Sequence, residues 1–205
     1  MIDIIFSLCS YYFIGLPIYL FCGWLLYRRY RKRQSCSKGF FVGWQIFALL
    51  LSMMFSVTGT SGVDNVVYNM QTSGHLIQSF DLNVIPFTNT DLTGLVLNII
   101  LFVPFGIMLP ILWRPCSGKF VVQAGFFLSA AIELSQLFNM RSTDINDLIT
   151  NTLGACLGYI IYKQLFCRIT WFQVDDPHSK QTISCCIILI VAVYMCIASP
   201  ISNPI

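Results

Sequence analysis

Six stretches of this chain are too long and too apolar to coat a soluble domain. They span approximately residues 4–27, 40–59, 94–113, 119–138, 145–163 and 182–199. A run of about 18 or more apolar residues without charges is long enough to cross a bilayer. The apolar residues come in blocks rather than on one periodic face, and only 10% of the chain is charged, where soluble domains average about 25%. The runs consume most of the 205 residues, so little remains for a soluble core. The pattern predicts an all-α, polytopic transmembrane helical bundle of about six spans, with no separate soluble domain.

The linkers can be checked against charge. Arg28, Arg29, Arg31, Lys32, Arg33 and Lys38 lie between the first two runs. Arg114 and Lys119 bracket the turn between the third and fourth, and Lys163, Arg168 and Lys180 follow the fifth. If the spans alternate, eleven of the twelve basic residues share one side, and Arg141 is the exception. Cytoplasmic loops carry the Lys/Arg excess, so these loops are expected in the cytoplasm and both termini outside. The stretch from Ile4 to Tyr27 lacks a basic start, is too long for a signal peptide and precedes its charges. It reads as a retained first helix. The net charge of +3 gives no basic face for nucleic acid, because the cations are grouped between apolar runs.

Three regions follow: 1–79, with two helices, a basic loop and the start of an outside loop; 80–163; and 164–205, with a cytoplasmic loop and a last helix. The outside segment 60–93 has no Lys or Arg but carries Asp64, Asp81 and Asp91. Within it, Asn65 to Phe80 reads either as a surface helix capped by Asp64 or as a flexible loop. The nine cysteines show no pair at metal spacing and lie mostly in apolar runs, as small apolar filler. His75, and His178 beside Asp175 and Asp176, read as solvated. No metal or cofactor is expected.

Polar groups inside spans are costly and face an interior or a cavity. Asn98 falls about one turn into the third span. Glu133 lies about 21 Å beyond Lys119 at 1.5 Å per residue, in the outer half of a core about 30 Å thick. Gln136 shares its face. Beyond the next turn, Asp144 is placed to cap the fifth span and Asp147 to meet the positive helix end. Asp147, Asn151, Gly154 and Gly158 recur on one helical face, and the last two form a small-xxx-small pair for close packing. Pro104 frees the carbonyl of Ile100 and predicts a kink, with Gly106 and Pro110 marking an irregular helix. Asn98, Glu133, Gln136, Arg141, Asp144, Asp147 and Asn151 thus converge near the outer surface. Two readings stand: polar glue between helices, or an outward polar pocket. In the second, three carboxylates against one guanidinium leave surplus negative charge, relieved by a proton or a bound cation.

Three blocks of the sequence resemble the VanZ-like family of membrane proteins. They are Asn83-Val84-Ile85-Pro86-Phe87; Asn98-Ile99-Ile100-Leu101-Phe102-Val103-Pro104-Phe105-Gly106; and the series Glu133, Gln136, Arg141, Asp144, Asp147, Asn151, Gly154, Gly158. They match the family's N-x-x-P-F, N-x-x-x-F-x-P-F-G and E-x-x-Q with R-x-x-D-x-x-D-x-x-x-N-x-x-G-x-x-x-G patterns, over roughly residues 80–163. The resemblance implies a multi-pass protein of a bacterial cytoplasmic membrane. The family is named for a protein giving resistance to the glycopeptide teicoplanin. Implied partners are the bilayer and either a glycopeptide antibiotic or a lipid-linked wall precursor, with a homo-oligomer open.

The leading functional expectation is non-enzymatic envelope protection, by binding or excluding an amphipathic ligand at the outer surface. The alternative is an intramembrane enzyme or transporter acting on a lipid-linked wall precursor. In that case Glu133 with Asp144 or Asp147 would do acid–base work, and Arg141 would hold a phosphate. Against the enzyme, there is no H-E-x-x-H helix, G-x-S-x-G elbow or Gly-Lys phosphate loop. Against the transporter, there is no visible repeat pair.

Overall fold

A computed structural model describes residues 2–33, 36–60, 62–72, 74, 82–83, 92–138 and 143–197. Each of the six apolar runs forms a helix: α1 (Ile2–Lys32), α2 (Phe40–Thr58), α4 (Leu92–Leu112), α5 (Gly118–Gln136), α6 (Ile145–Ile161) and α7 (Ser179–Ile197). Between α2 and α4 lies the short α3 (Val63–Thr72). The all-α reading holds. Three of the helices, α2, α4 and α7, are by themselves long and apolar enough to cross a membrane. The 17-residue α6 is shorter, and its first turns carry Asn146, Asp147, Thr150 and Asn151. A π-helical turn over Tyr162–Phe166 extends it.

Local chemistry sets most boundaries. At the end of α2, Gly59 takes a left-handed φ of 66°, and the Thr60 N–H reaches back to the Phe55 carbonyl at 3.0 Å. A residue with a Cβ resists that conformation, so glycine ends helices in this way. Ser117 caps α5 by accepting from the Phe120 N–H at 3.3 Å. The helix α4 runs through both Pro104 and Pro110 without interruption. The surface helix departs from expectation: it begins at Val63, two residues before the expected start at Asn65. Of the rest of that expected helix, Gly74 is not helical, and residues 73 and 75–80 lie outside the described residues.

Loops from alternate connections meet at each end of the bundle. At one end, the Ser37 and Gly39 N–H groups donate to the carbonyls of Gln173 (3.0 Å) and Trp171 (3.1 Å). Strand β2 (Trp113–Arg114) pairs in parallel with β4 (Val174–Asp175). The Asp176 N–H donates to the Arg114 carbonyl at 2.7 Å, and Ser179 Oγ donates to the Pro115 carbonyl at 2.6 Å. The three linkers that have most of the basic residues in or beside them are therefore knitted together. Asp176 ties the knot: Tyr30 Oη (2.8 Å) and Thr182 Oγ1 (2.6 Å) both donate to its Oδ2. At the other end, β1 (Leu82–Asn83) pairs in parallel with β3 (Thr143–Asp144), and Asn69 Nδ2 donates to the Phe138 carbonyl at 2.8 Å.

The core is aromatic at the basic end. Trp113 lies edge-on to Phe40, Trp44 and Phe47, and Phe47 stacks on Phe105. Elsewhere, helices touch through small residues. A Cβ at Gly158 would meet the Val103 carbonyl and stand 2.9 Å from Gly106 Cα; one at Gly154 would meet the Ile99 carbonyl and stand 2.9 Å from Phe102 Cβ. Such backbone-to-backbone approach is what small-xxx-small spacing permits. Gly106, Gly154 and Gly158 thus lie where α4 and α6 come into contact.

A candidate polar site at the end opposite the basic loops

Asp144 organises this site. It caps α6, its Oδ1 accepting from the Asn146 N–H at 2.9 Å. Its own N–H donates to Glu133 Oε2 at 3.0 Å, so a carboxylate from the end of α5 holds the backbone that starts α6. Through β1 and β3, Asp144 is also in register with Asn83. One turn into α6, Asp147 Oδ1 accepts from Asn98 Nδ2 of α4 at 2.7 Å. Blocks far apart in sequence thus meet at one end of the bundle. Residues 84–87 of the first block lie outside the described residues.

Burial differs among these groups. Glu133 is 5% exposed, Gln136 6% and Asn151 2%, whereas Asn98, Asp144 and Asp147 are half-buried. The cluster therefore grades from a buried interior to an accessible rim. Asn151 faces α5, where its Nδ2 donates to Ser129 Oγ at 2.9 Å, and Ser129 Oγ lies 3.5 Å from the Asp147 carbonyl it donates to. Asn151 Oδ1 has no partner among the described residues. Gln136 turns away from the carboxylates and donates to the Thr58 carbonyl of α2 at 2.9 Å. The face Asp147–Asn151–Gly154–Gly158 is split: Asp147 and the glycines meet α4, and Asn151 meets α5. Arg141, the expected guanidinium partner, lies outside the described residues.

Two participants escaped sequence reasoning. Ser129 was legible in principle, since it lies one turn before Glu133 on the same face of α5. Thr58 contributes a main-chain carbonyl, and no residue type announces that. No group of three or more His, Cys, Asp or Glu that could hold a metal occurs among the described residues. Chemically, the site brings carboxyl oxygens and amides to one end of three helices, with the Asn151 carbonyl oxygen buried behind them.

An all-helical bundle with bilayer-length apolar helices and buried polar groups at one end defines an integral membrane protein. The chain belongs to the VanZ/LLP1 family, whose model matches residues 45–168, more than half its length. That match begins inside α2, upstream of the three motif blocks. The chain is also similar to Protein VanZ of Enterococcus faecium, 38% identical over 85 residues, which cover 40% of this chain and 52% of that protein. It thus spans about half the length of that curated relative. No solved structure matches it.

Proposed function

We propose that this chain is a multi-pass protein of the bacterial cytoplasmic membrane that protects the cell envelope against glycopeptides of the teicoplanin type. In this reading six helices span the bilayer, the basic loops face the cytoplasm, and the polar cluster faces outward. The observation that carries the reading is the convergence of Glu133, Asp144, Asp147 and Asn98 at the end opposite the basic loops. Membership of the VanZ/LLP1 family supports it. A lipid-anchored glycopeptide, or the wall precursor it targets, approaches from that side. It would meet carboxyl acceptors at the rim, so hydrogen-bond donors and amines on the ligand are complementary. Binding or exclusion needs no bond to be made or broken, and the protein is read as non-enzymatic.

The test is teicoplanin susceptibility of a Gram-positive host expressing wild type, Glu133→Gln or Asp147→Asn at matched membrane abundance. Wild type should raise tolerance and both variants should return it at least about tenfold toward the empty host, the effect of losing about 1.4 kcal/mol of interaction. No change with wild type would remove the glycopeptide reading.

The buried Glu133 carboxyl beside Asp144 favours a second reading, an intramembrane enzyme or transporter handling a lipid-linked wall precursor. Full protection by Asp147→Asn, with purified protein leaving such a precursor chemically unchanged and on its original side, would set this aside.

A further inference from the structure

A groove of about 550 Å³ runs between α5 and α7, lined on one side by Phe120, Ala124 and Phe127 and on the other by Ser184, Ile188 and Val191. Phe127 is 68% exposed and Ile188 67%, so each wall presents large apolar surface outward. From Phe120 to Ala131 the groove covers about 16 Å of helix, roughly half of a hydrocarbon core about 30 Å thick. That is the depth of one leaflet, and it is the leaflet at the basic end, because α5 and α7 both start there.

The mouth of the groove is basic. Lys119 lies one turn before the lining residue Gln123, and Lys180 one turn before Ser184. Residues four apart share a helix face, so each lysine continues one wall of the groove toward the membrane surface. The two helix starts are tied together by the Ser179 to Pro115 hydrogen bond. Burial pushes the Cys116 thiol up to about 12, and Lys180 acts on it in the opposite sense. Both lysines are exposed, and among the described residues neither forms an ion pair. The nearby carboxylate of Asp176 is buried and occupied by Tyr30 and Thr182.

We propose that this groove binds an anionic phospholipid of the leaflet at the basic end, an acyl chain lying between α5 and α7 and the phosphate held between Lys119 and Lys180. The proposal rests on the reading that α5 and α7 span the bilayer. It does not involve the polar cluster at the far end, so its failure leaves the susceptibility test untouched, and the reverse. An apolar trough of leaflet depth that ends in two cations matches a lipid in both shape and charge. A free phosphate would use only the mouth.

The test is native mass spectrometry of the full-length protein in detergent with palmitoyl-oleoyl phosphatidylglycerol or phosphatidylcholine. Wild type should retain phosphatidylglycerol about tenfold better, as expected for two lysines near a charged headgroup. Lys119→Gln with Lys180→Gln should abolish that preference, and the paired Arg substitutions should keep it. Ala124→Phe with Ser184→Phe, which fills the trough, should lower retention of both lipids, and excess glycerol 3-phosphate should not displace the lipid. Equal retention of both lipids by wild type, an undiminished preference in the folded Gln pair, displacement by glycerol 3-phosphate, or a second copy of the chain occupying the groove would each overturn the proposal.

Discussion

Asp176 shows how one side chain can hold an end of the bundle. Burial alone would raise its carboxyl, but hydrogen bonds from Thr182, Tyr30 and the His178 N–H, with the Arg29 guanidinium, outweigh that and hold it below the ordinary carboxylate range. A group depressed in the folded state contributes stability above its unfolded value and loses it as pH falls through the folded one. The knot of linkers should therefore weaken as the pH drops below about 4. Thermal unfolding of wild type and Asp176→Asn in detergent, followed from neutral pH to about pH 3, checks this. The variant should start lower by roughly 1–3 kcal/mol, and the gap should narrow in acid. A gap that stays constant would assign the loss to something other than ionisation. Burial similarly pushes the Cys36 thiol up to about 11, which makes it a poor nucleophile at neutral pH.

At the scale of elements, the α4–α6 contact is the seam of the structure. Gly106, Gly154 and Gly158 bring two main chains together, and the Asn98–Asp147 hydrogen bond closes the same seam at its polar end. Packing and polar site are thus one construction, because the glycines set the distance across which Asn98 reaches Asp147. A side chain at Gly158 has no space without moving the Val103 main chain. Gly158→Leu should cost about 1–3 kcal/mol or more, read as a lower unfolding temperature and a smaller monodisperse fraction in detergent. Unchanged behaviour of Gly158→Leu would show that the seam can open.

Across the whole molecule, charge and connectivity agree. The three linkers bearing eleven basic residues in and around them are knitted at one end, and α3 and the carboxyl cluster occupy the other. The proposed orientation predicts distinct labelling of single reporter cysteines in a background freed of native ones. Met70→Cys, on exposed α3, should react with an impermeant maleimide on intact cells. Lys38→Cys and Arg168→Cys should react only after permeabilisation. The reverse pattern would turn the molecule over and put the carboxyl cluster inside.

Much of this was legible in the sequence because membrane helices leave strong one-dimensional marks. Six apolar runs became six helices, and a backbone in a bilayer must satisfy its hydrogen bonds within each segment. Asp144 could be read as a cap because capping is decided over three residues. The spacing of Gly154 and Gly158 announced a close contact, again from local geometry. Sequence did not decide which helix each group would meet. Whether Asn151 faces Asp147 or Ser129, and whether Gln136 joins the carboxylates or the Thr58 carbonyl, depends on how helices are arranged and rotated in the bundle. Nor could it show the groove beside α7, because a groove is made by the spacing of two elements and belongs to neither. Local chemistry along the chain thus made the six long helices and their charged flanks readable, but not the limits of α3. The meeting of polar groups was not readable, because it depends on contacts between segments far apart in the chain.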